Sequence, residues 1–257
     1  MIGIFDSGVG GLSVLNEIRR LIPEESLLYF ADTKNLPYGN KSESFLRARS
    51  LEISRFLYDQ GAKILVIACN TATAAGVESV RENLNIPVIA VEPPIKPAVA
   101  LSSSGIIGVL ATELTLASQR FRALIDRYAK DLKVIERSSN DLVPLVENCN
   151  WSDILGRTII GKVVDEFVSQ GVDAIVLGST HFSFLKDIII ELSNGKLIPV
   201  GSAEATAQQA LKIYKESGMI PVGQGQAKIF VSGDLKLFKK NLAAFSSCKA
   251  EVYQADI

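Results

Sequence analysis

The chain repeats itself at about half its length, and that repeat limits what it can fold into. Residues 61–71 read Gly-Ala-Lys-Ile-Leu-Val-Ile-Ala-Cys-Asn-Thr, and residues 171–181 read Gly-Val-Asp-Ala-Ile-Val-Leu-Gly-Ser-Thr-His. Both open on glycine, run through branched apolar residues and close on a small residue followed by polar ones. A short apolar run with such ends is the pattern of a strand buried on both faces of a parallel sheet. The echo extends further. Ile2-Gly3-Ile4-Phe5-Asp6-Ser7 parallels Ile107-Gly108-Val109-Leu110-Ala111-Thr112, and Ile86-Pro87-Val88-Ile89 parallels Ile198-Pro199-Val200-Gly201. Pro37 falls opposite Pro144, again about half a chain away.

Short apolar runs at 2–5, 26–31, 63–68, 86–91, 106–110, 133–136, 173–177, 197–200 and 228–231 are expected strands. Helical spacing fills most of the gaps between them. Ile159, Ile160, Val163, Val164, Phe167 and Val168 share one face, with Gly171 where a C-terminal cap belongs. Phe184, Leu185, Ile188, Ile189 and Leu192 share another. Strand and helix in alternation predict an α/β protein with mainly parallel sheets. The duplication predicts two related, pseudo-symmetric lobes with the active site in the cleft between them. Residues 1–94 with 208–257 are expected to form the first lobe, which carries Cys69. Residues 95–207 are expected to form the second, which carries Ser179 and His181. The Glu92–Pro97 stretch is the expected boundary and a candidate hinge, across which the lobes close over a ligand. Ligands of parallel sheets sit beyond the carboxyl ends of the strands, so residues 6–7, 69–71, 112 and 179–181 are expected around one site.

Bulk properties exclude several classes. Of 257 residues, 27 are basic and 28 acidic, with no long like-sign block, which argues against nucleic acid or a membrane surface as partner. No apolar run approaches the roughly 18 residues of a membrane helix, and no secretory signal is legible. Cys69, Cys149 and Cys248 are widely spaced and lack metal-ligand spacing, so no disulfide and no metal are expected. The expected compartment is a bacterial-type cytoplasm.

The chemistry lies at the strand ends. Asp6-Ser7-Gly8-Val9-Gly10-Gly11 leads into a helix-like run; it lacks the Lys-Ser/Thr of a phosphate loop and reads either as a tight turn or as a ligand-facing loop. Ala31-Asp32-Thr33-Lys34-Asn35-Leu36-Pro37-Tyr38-Gly39 reads either as a surface turn or as a binding loop that offers a carboxylate, a phenol and the Gly39 N–H. Cys69 ends a strand and opens a helix, where backbone potential is expected to lower a thiol pKa; the alternative is an inert buried cysteine. Cys149 and Cys248 follow no buried-strand pattern and are expected to be structural or incidental. His181 is the chain's one histidine. It lies just past a strand end, where an imidazole can give a proton or hold a neighbour's protonation state. Glu147 either orients that imidazole or is a solvated helix residue.

These residues resemble glutamate racemase in order and spacing: Asp6 to Gly11, Asp32 with Pro37-Tyr38-Gly39, Ala68-Cys69-Asn70-Thr71-Ala72, Leu142-Val143-Pro144-Leu145-Val146-Glu147, Gly178-Ser179-Thr180-His181 and Ser232-Gly233-Asp234. The resemblance spans essentially the whole chain. It implies a cofactor-independent isomerase that interconverts L- and D-glutamate by two-base proton transfer at Cα and supplies D-glutamate for peptidoglycan and cell-wall biogenesis. It also implies a possible homodimer. Carried over residue by residue, it makes Cys69 the thiol that acts on the D-enantiomer and puts Ser179 where a second cysteine acts on the L-enantiomer. It makes Asp6 and His181 the assisting groups. Asp6, Ser7, Asp32, Pro37, Tyr38, Gly39, Asn70, Thr71, Thr180 and His181 become substrate contacts, with Thr112 and Thr115 reaching the side-chain carboxylate. Departures at Leu114 and at Phe182-Ser183 are modest. The departure at Ser179 is large, because a hydroxyl is a far weaker acid than a thiol. The expectation is therefore an impaired racemase, with deliberate Cys-to-Ser replacement favoured over natural drift. The alternatives are an amino-acid-binding or regulatory protein on a dead racemase scaffold, or an aspartate racemase.

Overall fold

The computed structural model describes residues 1–221 and 224–257. Its first half runs β1 (Ile2–Asp6), α1 (Leu12–Leu21), β2 (Leu27–Ala31), α2 (Glu43–Asp59), β3 (Ile64–Ile67), α3 (Asn70–Asn83), β4 (Val88–Ala90) and α4 (Ile95–Leu101). The second runs β5 (Ile106–Ala111), α5 (Glu113–Ala117), α6 (Gln119–Tyr128), β6 (Lys133–Ser138), α7 (Leu142–Glu147), α8 (Ile154–Ser169), β7 (Ala174–Gly178), α9 (Lys186–Leu192) and β8 (Ile198–Val200). The chain continues through α10 (Ala203–Glu216), β9 (Ala227–Val231), α11 (Leu235–Phe245) and β10 (Ala250–Gln254).

The strands form two parallel sheets, ordered β10-β9-β2-β1-β3-β4 and β6-β5-β7-β8. The repeat read from sequence is therefore a repeat of strand order: β2-β1-β3-β4 in one sheet matches β6-β5-β7-β8 in the other. Register matches as well. Ile2 pairs with Ile64 in the first sheet, and Ile107 pairs with Ala174 in the second. One detail differs from the sequence reading. Leu65 pairs with Val88 while Ile175 pairs with Pro199, so Val88, and not Pro87, is the structural counterpart of Pro199. The shared Ile-Pro-Val spelling is one residue out of step, because hydrogen-bond register and not prolines fixes equivalence.

All nine expected strands are present. The tenth, β10, was not expected. It is an edge strand beside β9 with a half-exposed side-chain pattern, and so lacks the apolar run that marks a buried strand. Central strands β1, β2, β3 and β7 are buried along their whole length. Helix α8 buries Ile160, Val163, Val164 and Phe167 as the spacing implies, and it stops at Gly171, whose φ of +79° suits a residue without Cβ. The expected helix around 184–192 begins instead as a tighter 3-10 stretch, Thr180–Leu185, and becomes α-helical only at Lys186. The expected lobe boundary at 207/208 falls inside α10, a continuous helix lying along α1. The first-lobe segment from 208 to 257 also includes 222–223, outside the described residues. No helix among the described residues is long and apolar enough to cross a membrane.

Candidate active site

The site lies where the carboxyl ends of the two sheets meet. Asp6, the last residue of β1, is buried; its carboxylate accepts from the Gly8 N–H at 2.9 Å and from the Thr180 hydroxyl, across the lobes, at 2.9 Å. The glycine turn that follows is explained by what presses on it. A Cβ at Gly8 would lie 1.9 Å from Glu147 Oε1, and one at Gly10 would lie 2.5 Å from His181 Nδ1. Only bare backbone fits, because second-lobe side chains occupy that space. Glu147 Oε1 accepts from the Val9 N–H at 2.8 Å and meets His181 Nε2 at 2.6 Å. Of its two sequence readings, this is the orienting one.

The electrostatics follow from burial. Burial pulls the His181 pKa down, but Glu147 and then Asp6 outweigh it, and the net shift is upward. Burial likewise raises Asp6, against the lowering pull of His181 and its hydrogen bonds. Cys69 corrects the sequence expectation. Its sulfur caps α3 as anticipated, accepting the Ala72 N–H at 3.4 Å, and it approaches Ser7 Oγ at 3.8 Å. Yet its pKa is pushed up, to about 12, by burial first and by the Asp6 charge second. The helix N-terminus does act downward, but desolvation of a thiolate in a buried pocket is the larger effect.

Asp32 also departs from the reading as a ligand-facing carboxylate. It is fully buried and takes Arg49 through both oxygens (Nη2 at 2.7 Å, Nε at 2.9 Å), the Tyr38 hydroxyl at 2.6 Å and the Ser232 hydroxyl at 2.7 Å. Burial opposes ionisation there, but the Arg49 contact and the two hydroxyls prevail and hold the carboxyl below its usual range. Asp32 thus ties Tyr38 and the loop in place. Across the lobes, Thr71 and Thr112 hydroxyls lie 3.0 Å apart, and Thr112 lies 2.9 Å from Thr115. Asn70 is buried, and neither polar atom of its amide has a partner among the described residues.

A small pocket lies at the centre. Nine of the sequence-derived candidates line it: Ser7, Pro37, Tyr38, Gly39, Cys69, Thr71, Thr112, Ser179 and His181. Cys69 and Ser179, equivalent positions of the repeat, thus face one space. Asp6, Asp32, Asn70, Thr115, Thr180 and Glu147 do not line it, although Asp6, Thr115, Thr180 and Glu147 hydrogen-bond within the cluster around it. The pocket also includes Val143, quoted in the sequence only as part of a motif, and Asn140, which was not singled out at all. Among the described residues, no group of three or more His, Cys, Asp or Glu could hold a metal ion.

Twin parallel sheets with a thiol and a hydroxyl at matched strand ends define a class, and the chain belongs to the Asp/Glu/hydantoin racemase family, whose model matches residues 2–219. Within it, the chain is similar to glutamate racemase of Pseudomonas syringae pv. tomato, 42% identical over 235 residues that cover 91% of this chain and 86% of that one. Among solved structures it resembles a glutamate racemase isoform of Bacillus anthracis (TM-score 0.89, 29% identity, covering 100% and 97% of the two chains). It also resembles Escherichia coli glutamate racemase in complex with L-glutamate and the activator UDP-MurNAc-Ala (TM-score 0.87, 29% identity, 98% and 97% covered).

Proposed function

We propose that this protein racemises glutamate without a cofactor, and that the serine at 179 slows it. The observation that carries the reading is the single pocket shared by Cys69 and Ser179 from matching ends of two repeated sheets. Inversion at Cα removes a proton from one face and returns one to the other, and two acid–base groups from opposed lobes suit that task. Cys69 takes the role of base toward D-glutamate. Burial and the Asp6 charge hold the thiol neutral; the substrate ammonium, brought beside it, favours the thiolate. Asp6 supports Cys69, and His181, whose cation Glu147 stabilises, supports the 179 side. Asn70, whose amide is buried without partners, together with Ser7, Thr71, Thr112 and the Tyr38–Gly39 turn, supplies donors for the carboxylates. A serine at 179 is a poor proton donor and a worse base. One missing acid–base partner typically costs ~10²–10⁴ in rate, and more in the L-to-D direction, where the base itself is lost.

The lobes proposed are residues 1–94 with the C-terminal return, and the segment from 95 to the start of α10. The proposed place for this work is the cytoplasm, supplying D-glutamate to peptidoglycan, and a homodimer is the proposed assembly. The test is deuterium incorporation at Cα. In heavy water D-glutamate should exchange faster than it converts to L-glutamate, Cys69→Ala should abolish exchange, and Ser179→Cys should raise racemisation by about 10² or more. A Ser179→Cys protein inert on glutamate sinks the assignment; one that prefers aspartate redirects it.

A further inference from the structure

The pocket poses a charge problem for the reading just given. A dicarboxylic amino acid brings two carboxylates, yet no lysine or arginine among the described residues lines the space. The Tyr38 hydroxyl is already donated to Asp32. Anion recognition must therefore come from His181 and from neutral donors, and each such donor matters.

Asn140 is one that the sequence did not reveal. It lies between β6 and α7, and its amide orientation is fixed by two bonds. Oδ1 accepts from the Glu113 N–H at 3.4 Å, and Nδ2 donates to Asn40 Oδ1, on the first lobe, at 3.2 Å. Those bonds use one of the two Nδ2 hydrogens and leave the other without a partner among the described residues. The contact with the first lobe is tight: a Cβ on Gly39 would lie 2.8 Å from Asn140 Oδ1. Three residues on, at the spacing of one helical turn, Val143 also lines the pocket. An apolar patch followed by an amide matches methylene groups that end in a carboxylate.

We propose that Asn140 selects the substrate, giving its spare N–H to the side-chain carboxylate while its other bonds hold the Gly39–Asn40 turn against the second lobe. The proposal rests on the glutamate reading above. It separates from a merely structural role through two variants with opposite expectations. Asn140→Asp keeps the shape and the Glu113 bond but puts a negative charge beside the carboxylate. Asn140→Ala removes both holds and adds no charge. Calorimetry with D-glutamate on the full chain should show Asn140→Asp binding about tenfold or more weaker than the unmodified protein, with Asn140→Ala weakened less. A structural latch alone makes alanine at least as harmful as aspartate, so Asp no worse than Ala overturns the proposal, as does unchanged affinity in both. If Asn140→Asp does not fold, Asn140→Ser, which shortens the donor without charge, must still weaken glutamate by more than about threefold. An unmodified chain that takes up no glutamate would instead overturn the glutamate reading itself, and this proposal with it.

Discussion

At the residue scale, the lone histidine makes the site unusually easy to read by experiment. His181 is the chain's one histidine, so its ring signals in a proton or nitrogen NMR titration belong to one group. Its pKa is raised above 6.5 despite burial, because Glu147 and Asp6 stabilise the cation. A raised folded pKa contributes stability that is complete below the unfolded value of about 6.5 and fades as pH rises through the folded value. Glu147→Gln should therefore move the titration downward and flatten the decline of urea-unfolding stability above neutrality. A His181 titration indifferent to that change would show that the 2.6 Å contact does not set its charge. Which residues gather around the pocket was largely legible from strand-end position. What each one does was less so. Asp32 looks like a ligand in sequence because a carboxylate in a Pro-Tyr-Gly loop carries no sign of Arg49 and Ser232, distant in the chain yet bonded to it. Cys69 looked activated because a helix N-terminus is visible in a sequence and burial is not. Asn140, one polar residue among Ser-Ser-Asn-Asp, gave no signal.

At the scale of elements, the sheets were legible because buried parallel strands write themselves as apolar runs; β10, exposed at its edge, did not. Close packing of helix on sheet shows at Gly108 in β5. A Cβ there would meet the Phe167 ring at 2.8 Å and Val172 at 3.1 Å. Phe167 is fully buried, so the ring has little room to yield. Gly108→Ala should cost about 1–3 kcal/mol by overpacking, read as a lower urea midpoint with unchanged m-value. Phe167→Leu in the same background should recover part of the loss. If Gly108→Ala unfolds at the midpoint of the parent, α8 does not pack on β5 as tightly as described.

At the scale of the molecule, the pocket is small and walled by both lobes, so the walls should part as a ligand enters. Asn40 and Asn140 touch across the divide, at 3.2 Å. Cysteines at both positions, joined by a short cleavable bis-thiol crosslinker, should lose Cα exchange, and cleaving the linker should return it to the level of the uncrosslinked double variant. Exchange that persists with the bridge intact would mean that entry does not depend on this seam opening. The repeated strand register has a last consequence. Duplicated sheets put position 69 and position 179 in corresponding stations, so identical side chains there would offer both enantiomers the same kind of proton carrier. With sulfur at one station and oxygen at the other, the two hands of the substrate meet unequal partners. The scaffold remains two-sided, but its catalysis should be lopsided: deuterium should wash into one enantiomer long before the mixture approaches its racemic balance.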